Sequence, residues 1–412
     1  METRFFWRAG FAVGLLGSQL AWAGQPAAET ASFWKVSQQE LLDRMYGGWV
    51  GMLIGGLEGL PHEFKYKEHP RPELPELTFL PNGARSDDDN DFEWTHLWFM
   101  EKKASLKIPY AEIVEIWKAN MNQGIWVANK RARELMDKGL LPPQTSQVNH
   151  NPYAWYNLAG QFCVESYGML APGMPQTAAD LGLHYARISV SQEPLQATQF
   201  WTSLISLSFV YPEESIETSL RRALPAVDPR SAMHQVVEEA IAAWKESAAD
   251  WKAARQRFQQ KWHNQLGWNY NSTPLNGAAV CLALLYGQGD FYRTLQYAMA
   301  LGWDADCNAA TAGAVMGVRW GFRRISQLPQ FKMPDRYVNK TRPQLPPEIP
   351  VSQQVQTILR LAERVILANG GQRLQEDGQI FYRIRLQEPK LLEPLPENPV
   401  RPTLPKPVNQ NN

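Results

Sequence analysis

Two aspartates in the last third of the chain have the spacing of a cation site. Asp304 and Asp306 lie in the segment LGWDADCNAATAGAVMGV, just before a run of small, helix-forming residues. Side chains at i and i+2 point to different sides of a regular helix, so the two carboxylates converge only in the turn that enters it. Free N–H groups and the positive dipole end tolerate clustered negative charge there, and a hard divalent cation increases that tolerance. The pattern therefore predicts a cation site at a helix N-terminus.

A second acidic cluster lies far upstream, in the sequence SDDDND at residues 86–91. Taken alone, it is equally typical of a solvated acidic turn that caps a helix. A calcium loop of the helix-loop-helix type does not fit, because the required glycine is missing and the closing glutamate comes too early. If the fold brings the two clusters together, they form a site for one or two hard metal ions.

A series of glycines precedes both clusters. Gly47, Gly51 and Gly55 recur at four-residue spacing in a predicted helix. Glycine inside a helix costs about 1 kcal/mol relative to alanine, so three on one face indicate close backbone packing. The chain then leaves the helix through a glycine-rich turn and reaches Glu63, an arrangement that suits a mobile loop over a site.

These segments together resemble the ADP-ribosylglycohydrolase family. That family has a glycine-rich first helix ending in Gly-Asp-Ala-x-Gly-x-Pro-x-Glu, a Thr/Ser-Asp-Asp-Thr cluster, and a late Gly-x-Asp-x-Asp-Thr before a helix of small residues. The corresponding segments here, in the same order, are residues 47–63, 86–89 and 302–307. The similarity continues through residues 161–175 and 276–318, so it covers most of the chain.

The resemblance implies an all-α fold whose central cleft holds two Mg²⁺ ions, with Ca²⁺ or Mn²⁺ as alternatives. Such metals hold vicinal ribose hydroxyls and a water, and orient the anomeric carbon for cleavage of its glycosidic bond. Glu63 is the expected acid/base partner, and Asp88 and Asp304 are the other expected catalytic residues. The metal ligands carried over by the resemblance are Ser86, Asp87, Asp88, Asp304, Asp306 and Cys307.

Three positions depart from the family pattern. Gly56 replaces the Asp of Gly-Asp-Ala, so a carboxylate is missing near the loop. Cys307 replaces the last Thr with a soft ligand that suits Mg²⁺ and Ca²⁺ poorly. Asp89 replaces the Thr that ends the early cluster and adds a negative charge. Asn308, beside the cysteine, offers an amide oxygen for a metal or a sugar.

The expected substrate is a small or conjugated sugar or nucleotide. Trp and Tyr faces stack on sugars and bases, although most of the 16 tryptophans are expected to be core residues. Trp303 is the exception, because it lies inside the metal signature. The polar, aromatic segment at residues 268–273 precedes a helix, which makes Asn271 a candidate for lining the cleft. The predicted substrate-binding residues are Asn271, Trp303 and Asn308.

Composition limits the partners of the chain. It has 412 residues, with 41 Lys+Arg and 41 Asp+Glu, so its formal net charge is zero. There is thus no excess positive charge that would indicate nucleic acid or an anionic membrane as a partner. Its three cysteines, Cys163, Cys281 and Cys307, form no disulfide framework; one bridge and three free thiols both stay open. The oligomeric state is left open too.

The predicted organisation has four parts. Residues 1–23 read as a cleaved signal peptide, since Arg4 and Arg8 precede a short apolar run and a small-x-small site at Ala21-Trp22-Ala23; an uncleaved anchor is the alternative. We therefore expect a periplasmic or secreted protein without stable membrane insertion. Residues 33–369 form the helical domain, 370–388 a hairpin extension, and 389–412 a disordered, Pro-rich tail.

Apolar residues recur at three- and four-residue spacing through most of the chain, which predicts an all-α bundle with a small C-terminal hairpin. One of the predicted helices spans residues 152–167. The predicted function is an exported, metal-dependent glycoside hydrolase for an ADP-ribosyl, ribosyl or related sugar conjugate. Two alternatives stay open: a binding relative that has lost turnover, which Gly56 and Cys307 favour, and a structural relative without a metal.

Overall fold

The computed structural model describes residues 1–2 and 32–402, and it confirms the all-α prediction. Nearly all of the predicted signal peptide lies outside these residues. In the part that is described, no helix is both long and apolar enough to cross a bilayer. The helices are α1 Gln38–Gly59, α2 Asp88–Lys103, α3 Tyr110–Asn120, α4 Val127–Asp137, α5 Ala159–Phe162, α6 Glu165–Leu170, α7 Pro175–Ala186, α8 Glu193–Ser208, α9 Ile216–Ala223, α10 Ala232–Glu246, α11 Trp251–Phe258, α12 Thr273–Gly287, α13 Phe291–Leu301, α14 Ala305–Trp320, α15 Phe322–Ile325 and α16 Val351–Ala368.

Three helices form the centre of the core. Every residue of α8 and α12 is buried, and so is α14 from Ala305 to Arg319. Their sequences are rich in small and apolar residues on all faces, which is typical of a helix surrounded by others. Helix α14 packs against α1, α12 and α13, so its N-terminus, where Asp304 lies, is held inside the bundle.

The predicted hairpin is present as the strands Gln372–Glu376 and Gln379–Arg385. Asp377 and Gly378 both have positive φ (+46° and +78°), as the type I′ turn of a two-residue hairpin loop requires. A strand at Phe33–Ser37, which was not predicted, pairs antiparallel with the second hairpin strand and places Val36 opposite Tyr382. A second small sheet joins Ala84–Arg85, Tyr337–Val338 and Glu348–Ile349.

The helix predicted at residues 152–167 is wrong. Turns run to Leu158, and two short helices, α5 and α6, follow. Side chains satisfy the backbone here in place of helical bonds: Asn157 Oδ1 accepts from the N–H of Ala159 (3.1 Å), and Glu165 Oε2 accepts from that of Val164 (3.1 Å). Local bonds of this kind compete with a continuous helix.

The predicted disorder at residues 389–412 is wrong for residues 389–402, and the rest lies outside the described residues. Leu395 is buried, and its N–H donates to Asp228 Oδ2 (2.9 Å). Gln199 Oε1 accepts from the backbone N–H groups of Leu392 and Glu393 (2.9 Å each). Buried polar side chains on the body thus supply the partners that this Pro-rich segment lacks internally.

Candidate active site

Helices α1 and α14 cross backbone to backbone, and this crossing positions the site. A Cβ atom on Gly51 would lie 2.1 Å from Gly313 O, and one on Gly55 would lie 2.0 Å from Ala309 O, so neither position has room for a side chain. The glycine spacing predicted close packing, and the structure identifies α14 as the partner. Because the two helices run antiparallel, the end of α1 meets the start of α14.

The chain leaves α1 through a 3-10 turn, Leu60–His62, and Glu63 follows it. Two backbone hydrogen bonds then join this loop to the residues that precede α14. Phe64 N donates to Trp303 O (2.8 Å), and Trp303 N donates to Tyr66 O (3.1 Å). The glutamate is therefore held beside the start of α14.

Gly302 and Arg255 fix the same loop from inside. Gly302 has φ +82°, and a Cβ atom there would lie 2.2 Å from Tyr66 O, so the position requires glycine. The buried guanidinium of Arg255 donates to the carbonyl oxygens of Tyr66 (3.1 Å) and Glu68 (3.0 Å). It also lies over the ring of Trp303, 4.1 Å from its centroid. The segment predicted to suit a mobile loop is thus anchored at several points.

The aspartate pair lies at a helix N-terminus, as the sequence predicted. Asp304 is the N-cap of α14, and Asp306 is in its first turn. Asp304 Oδ2 accepts from Asn271 Nδ2 (3.0 Å), and the N–H of Asp304 donates to Asn276 Oδ1 (3.1 Å). The Oδ1 atoms of both aspartates are buried and accept no hydrogen bond from the described residues. Buried carboxylate oxygens without partners are costly unless a ligand or cation satisfies them.

The N-terminus of α2 brings the early acidic cluster to the same place. Asp87 is the N-cap of this helix, and Asp88 lines the cavity described below. Asp89 is only 1% exposed, yet neither of its carboxylate oxygens accepts a hydrogen bond from the described residues. Ser86 is buried, and its hydroxyl accepts from the N–H of Lys340 (2.7 Å).

Two groups of ligand atoms result, and Asp306 belongs to both. One consists of carboxylate oxygens of Glu63, Asp304 and Asp306; the other consists of carboxylate oxygens of Asp89 and Asp306 with the thiol of Cys307. Within each group all the atoms lie within 4.8 Å of one another. Oxygen ligands 2.3–2.6 Å from one ion are at most about 5 Å apart, so each group has the dimensions of a cation site.

Asp89 occupies the space beside Gly56, where the family pattern has an aspartate. A Cβ atom on Gly56 would lie 3.3 Å from Asp89 Oδ2. A carboxylate from α2 thus occupies the place beside the carboxylate missing from α1. Asp89 was not among the predicted ligands, although Gly56 and Asp89 both depart visibly from the family pattern. The relation between Gly56 and Asp89 becomes apparent only from their proximity in the fold.

Burial raises the pKa values of the clustered carboxyl groups. It raises the pKa of Asp87 to about 6 and that of Glu63 to about 7. The pKa values of Asp89 and Asp306 are raised well above their usual range, first by burial and then by neighbouring carboxylates. A divalent cation favours the charged forms and so opposes these shifts.

The donor set fits a divalent cation in most respects. The unpartnered carboxylate oxygens are the ligands that Mg²⁺, Ca²⁺ and Mn²⁺ prefer. The exception is Cys307, whose buried thiol has a pKa raised by burial and by the charges of Asp304 and Asp89. A thiol in the second group favours a softer ion there than Mg²⁺. All three cysteines are free in the structure.

A cavity of about 430 Å³ opens over these groups. It combines aromatic rings with carboxylates and side-chain amides, and it is more polar than most small-molecule sites, whose lining is mainly apolar. Its lining residues are Glu63, Phe64, Asp88, Trp126, Val127, Asn129, Asn157, Phe162, Asn271, Asp304, Asp306 and Cys307.

A larger cavity, of about 540 Å³, lies beside α9 and the end of α14. Two of its three glutamates are paired with basic side chains, Glu214 with Arg222 (2.5 Å) and Glu217 with Lys245 (2.6 Å), and none of the three has a buried carboxylate oxygen without a partner. It therefore lacks the unpartnered acidic oxygens that distinguish the smaller cavity, and we take the smaller one as the candidate active site.

Six of the ten predicted site residues line the cavity. Ser86 and Asp87 lie just before α2 and are not part of its lining, and the predictions for Trp303 and Asn308 do not fit. Trp303 is fully buried and donates to Gln259 Oε1 (3.0 Å), so its ring stabilises the loop and does not face the cavity. Asn308 is fully buried too, and its amide donates to Asn276 Oδ1 (3.0 Å) and Gly302 O (3.2 Å). Both are corrected to structural positions, because their polar atoms already have partners in the protein.

A buried acid pair near the site was also missed. Glu93 Oε1 accepts from the N–H of Ser166 (2.7 Å), and Glu165 Oε1 accepts from the hydroxyl of Thr311 (2.6 Å). Burial raises the pKa of Glu165 to about 7. Burial, followed by the charge of Glu165, holds the pKa of Glu93 well above its usual range. Neither glutamate belongs to a motif of the family pattern, so spacing gave no signal.

Comparisons with known proteins identify the family of the chain. A model of the ADP-ribosylglycohydrolase family matches residues 37–375, a span that contains both acidic clusters and Glu63. A solved structure described as an ADP-ribosylglycohydrolase-related protein complex is similar at 16% sequence identity and a TM-score of 0.46; the match covers 79% of this chain and 99% of that one. No curated protein matches the chain.

Proposed function

Because the chain belongs to the ADP-ribosylglycohydrolase family, we propose that it is a divalent-cation-dependent glycoside hydrolase. Its substrate is an ADP-ribosyl, ribosyl or related sugar conjugate, of which it cleaves an N- or O-glycosidic bond. The family supports hydrolase activity in general; the cation, the substrate and the site residues belong to our proposal.

One observation carries the proposal. Carboxylate oxygens of Asp89, Asp304 and Asp306 are buried and have no hydrogen-bond partner among the described residues, and they converge from α2 and α14. Burying several such groups without compensation is strongly unfavourable. A cation site removes that cost, and Mg²⁺ or Mn²⁺ fits the oxygen donors.

The residues of the chain have distinct roles in this proposal. When bound, the cations would hold sugar hydroxyls and lower the pKa of a water. Asn271 orients Asp304 by donating to its Oδ2. Glu63 is exposed at the mouth of the cavity, where it can pass a proton to or from the leaving group. Phe64 and Phe162 supply apolar walls that limit access of water.

A second function, a binding protein without turnover, is favoured by one observation. The thiol of Cys307 lies in the second ligand group, where it weakens the case for a hard metal. The other feature that favoured it, Gly56, has less weight now, because Asp89 places a carboxylate beside that position.

The proposal is tested by hydrolysis of a panel of ribosyl conjugates, with release of free sugar measured in Mg²⁺, Mn²⁺ or EDTA. We expect cation-dependent release that is abolished in Asp304→Ala and Asp87→Ala, and unchanged in Asp180→Ala, which removes an exposed aspartate paired with Lys107. Thermal unfolding of each variant reports whether the fold persists. Full activity in either site variant would refute the mechanism. Cation-dependent binding of a conjugate without release of free sugar would support the binding protein.

Export is also proposed, on the sequence of residues 1–23 alone. N-terminal sequencing of the protein from cell fractions tests it. A mature chain that begins near Gly24 supports export, and an intact Met1 in the cytoplasmic fraction contradicts it.

A further inference from the structure

Trp126 is the exposed tryptophan at the rim of the candidate active site. Its side chain is 61% exposed although it lines the cavity, whereas Trp49, Trp94, Trp117 and Trp201 are buried. An indole left in water beside a cavity loses the favourable energy of burying its large apolar face. A flat ring bound in the cavity would recover it.

The backbone beside this indole is strained. Val127, the first residue of α4, has φ +42°, a conformation that is an outlier for a β-branched side chain. Phe64, on the carboxylate-bearing loop, has φ +49° and lines the same cavity. Such backbone conformations are unfavourable, and positions of this kind cluster at ligand sites. Both aromatic side chains therefore lie on or next to strained backbone at the cavity.

The polar lining suits a neutral partner. Three asparagines line the cavity, and amides both donate to and accept from hydroxyls. Asn157 and Asn271 already bond to each other and to the protein, so Asn129 is the amide with the most capacity for a ligand. Asn129 lies on α4 three residues after Trp126, and its amide N–H contacts only the thiol of Cys163 (3.7 Å) among the described residues. It therefore retains hydrogen-bonding capacity for a ligand.

The charge of the cavity disfavours a pyrophosphate. Among the residues that the structure describes, its lining contains four carboxylates and no Lys, Arg or His. Two divalent cations would bring four positive charges to a site with six acidic side chains, namely Glu63, Asp87, Asp88, Asp89, Asp304 and Asp306. The guanidinium of Arg85 acts on Asp87 but lines a different cavity. A diphosphate bound here would thus lack the basic partner that usually binds it.

We propose that this cavity takes a neutral ribosyl conjugate that carries a flat ring, such as a nucleoside, and that Trp126 stacks on that ring. This inference rests on the proposed function for the position of the ribose at the carboxylate end. Trp126 is the residue that selects the ring. The substrate is neutral and does not carry a pyrophosphate.

The test compares adenosine with ADP-ribose, which contains the same adenosine and carries in addition a pyrophosphate and a second ribose. Binding is measured by calorimetry in Mn²⁺ for the wild type, Trp126→Ala, Trp126→Phe and the control Leu367→Ala, which truncates an exposed leucine on α16 outside the cavity. We expect tighter binding of adenosine. Trp126→Ala should weaken it about 10- to 100-fold, as loss of one stacked base does, while the phenylalanine variant retains most of it.

Three results overturn the inference: no binding of adenosine, equal binding of adenosine by Trp126→Ala and the control, or tighter binding of ADP-ribose than of adenosine. The two proposals fail separately. Adenosine binding that depends on Trp126, without turnover of any conjugate, supports this inference and refutes the hydrolase. Cation-dependent turnover that is unchanged in Trp126→Ala supports the hydrolase and refutes this inference.

Discussion

Gly55 and Gly56 are neighbours on α1 with opposite packing, and this pair gives the sharpest prediction about the fold. A Cβ atom on Gly55 would lie 2.0 Å from Ala309 O and 2.3 Å from its carbonyl carbon, both backbone atoms of α14. One on Gly56 would meet Asp89 Oδ2 at 3.3 Å, a side-chain atom that can move by a few tenths of an ångström. Alanine should therefore be tolerated at the second position and not at the first.

The magnitude follows from these distances. To reach an ordinary contact of 3.4 Å or more, α1 and α14 must separate by more than 1 Å in Gly55→Ala, and overpacking of this kind typically costs about 1–3 kcal/mol. Alanine in a helix also gains about 1 kcal/mol over glycine. That gain applies at both positions and cancels in the comparison, so the two variants should differ by about 1–3 kcal/mol in the free energy of unfolding, with Gly55→Ala the less stable.

Urea denaturation measures this difference, and calorimetric titration with Mn²⁺ shows what it does to the site. Separation of the helices moves Glu63 away from Asp304 and Asp306, so Gly55→Ala should bind Mn²⁺ more weakly than Gly56→Ala even where both are folded. Equal stability of the two variants would refute the role of the glycine-lined crossing.

Three further predictions concern the carboxylates and the thiol. Asp89→Thr should weaken Mn²⁺ binding at least about tenfold, and Gly56→Asp/Asp89→Thr should restore it; unchanged affinity in the single variant would remove Asp89 from the site. Cys307→Thr should raise the affinity for Mg²⁺ relative to Zn²⁺ in competition titrations, and an unchanged ratio would show that the thiol is no ligand. Without a cation, the pKa of Asp87 is about 6 in the folded state, compared with an ordinary value of 3.8. The folded state therefore binds this proton more tightly than the unfolded state, so the contribution of Asp87 to stability falls as the pH rises from about 4 to about 6. Mn²⁺ should therefore raise Tm more at pH 7 than at pH 5, and equal increments would contradict this.

The sequence was most informative where chemistry and local structure coincide. Asp304 and Asp306 need a helix N-terminus to converge, and the small residues after them form that helix. The spacing of Gly51 and Gly55 predicted a close crossing, because only an approaching backbone explains such glycines. Both inferences depend on residue types at fixed short separations.

The features that the sequence did not predict depend on contacts between residues far apart in the chain. Nothing local shows that Asp89 on α2 lies beside Gly56 on α1, or that the strand at Phe33–Ser37 pairs with the hairpin. Trp303 has the type and place of a substrate residue, but a buried partner, Gln259, takes its indole N–H. Trp126 was expected in the core with most other tryptophans and is instead exposed, because exposure is a property of the folded chain.

Equilibrium binding of Mn²⁺ to cation-free protein tests the central claim most directly, with the signal of free Mn²⁺ followed by electron paramagnetic resonance. Asp306 belongs to both ligand groups, so Asp306→Asn is the decisive variant. We expect the wild type to bind one or two ions per chain. The variant should lose this binding while it unfolds at the same or a higher temperature without metal, because a buried unpartnered charge has been removed. A wild type that binds no Mn²⁺, or a variant that binds it as tightly, would contradict the account.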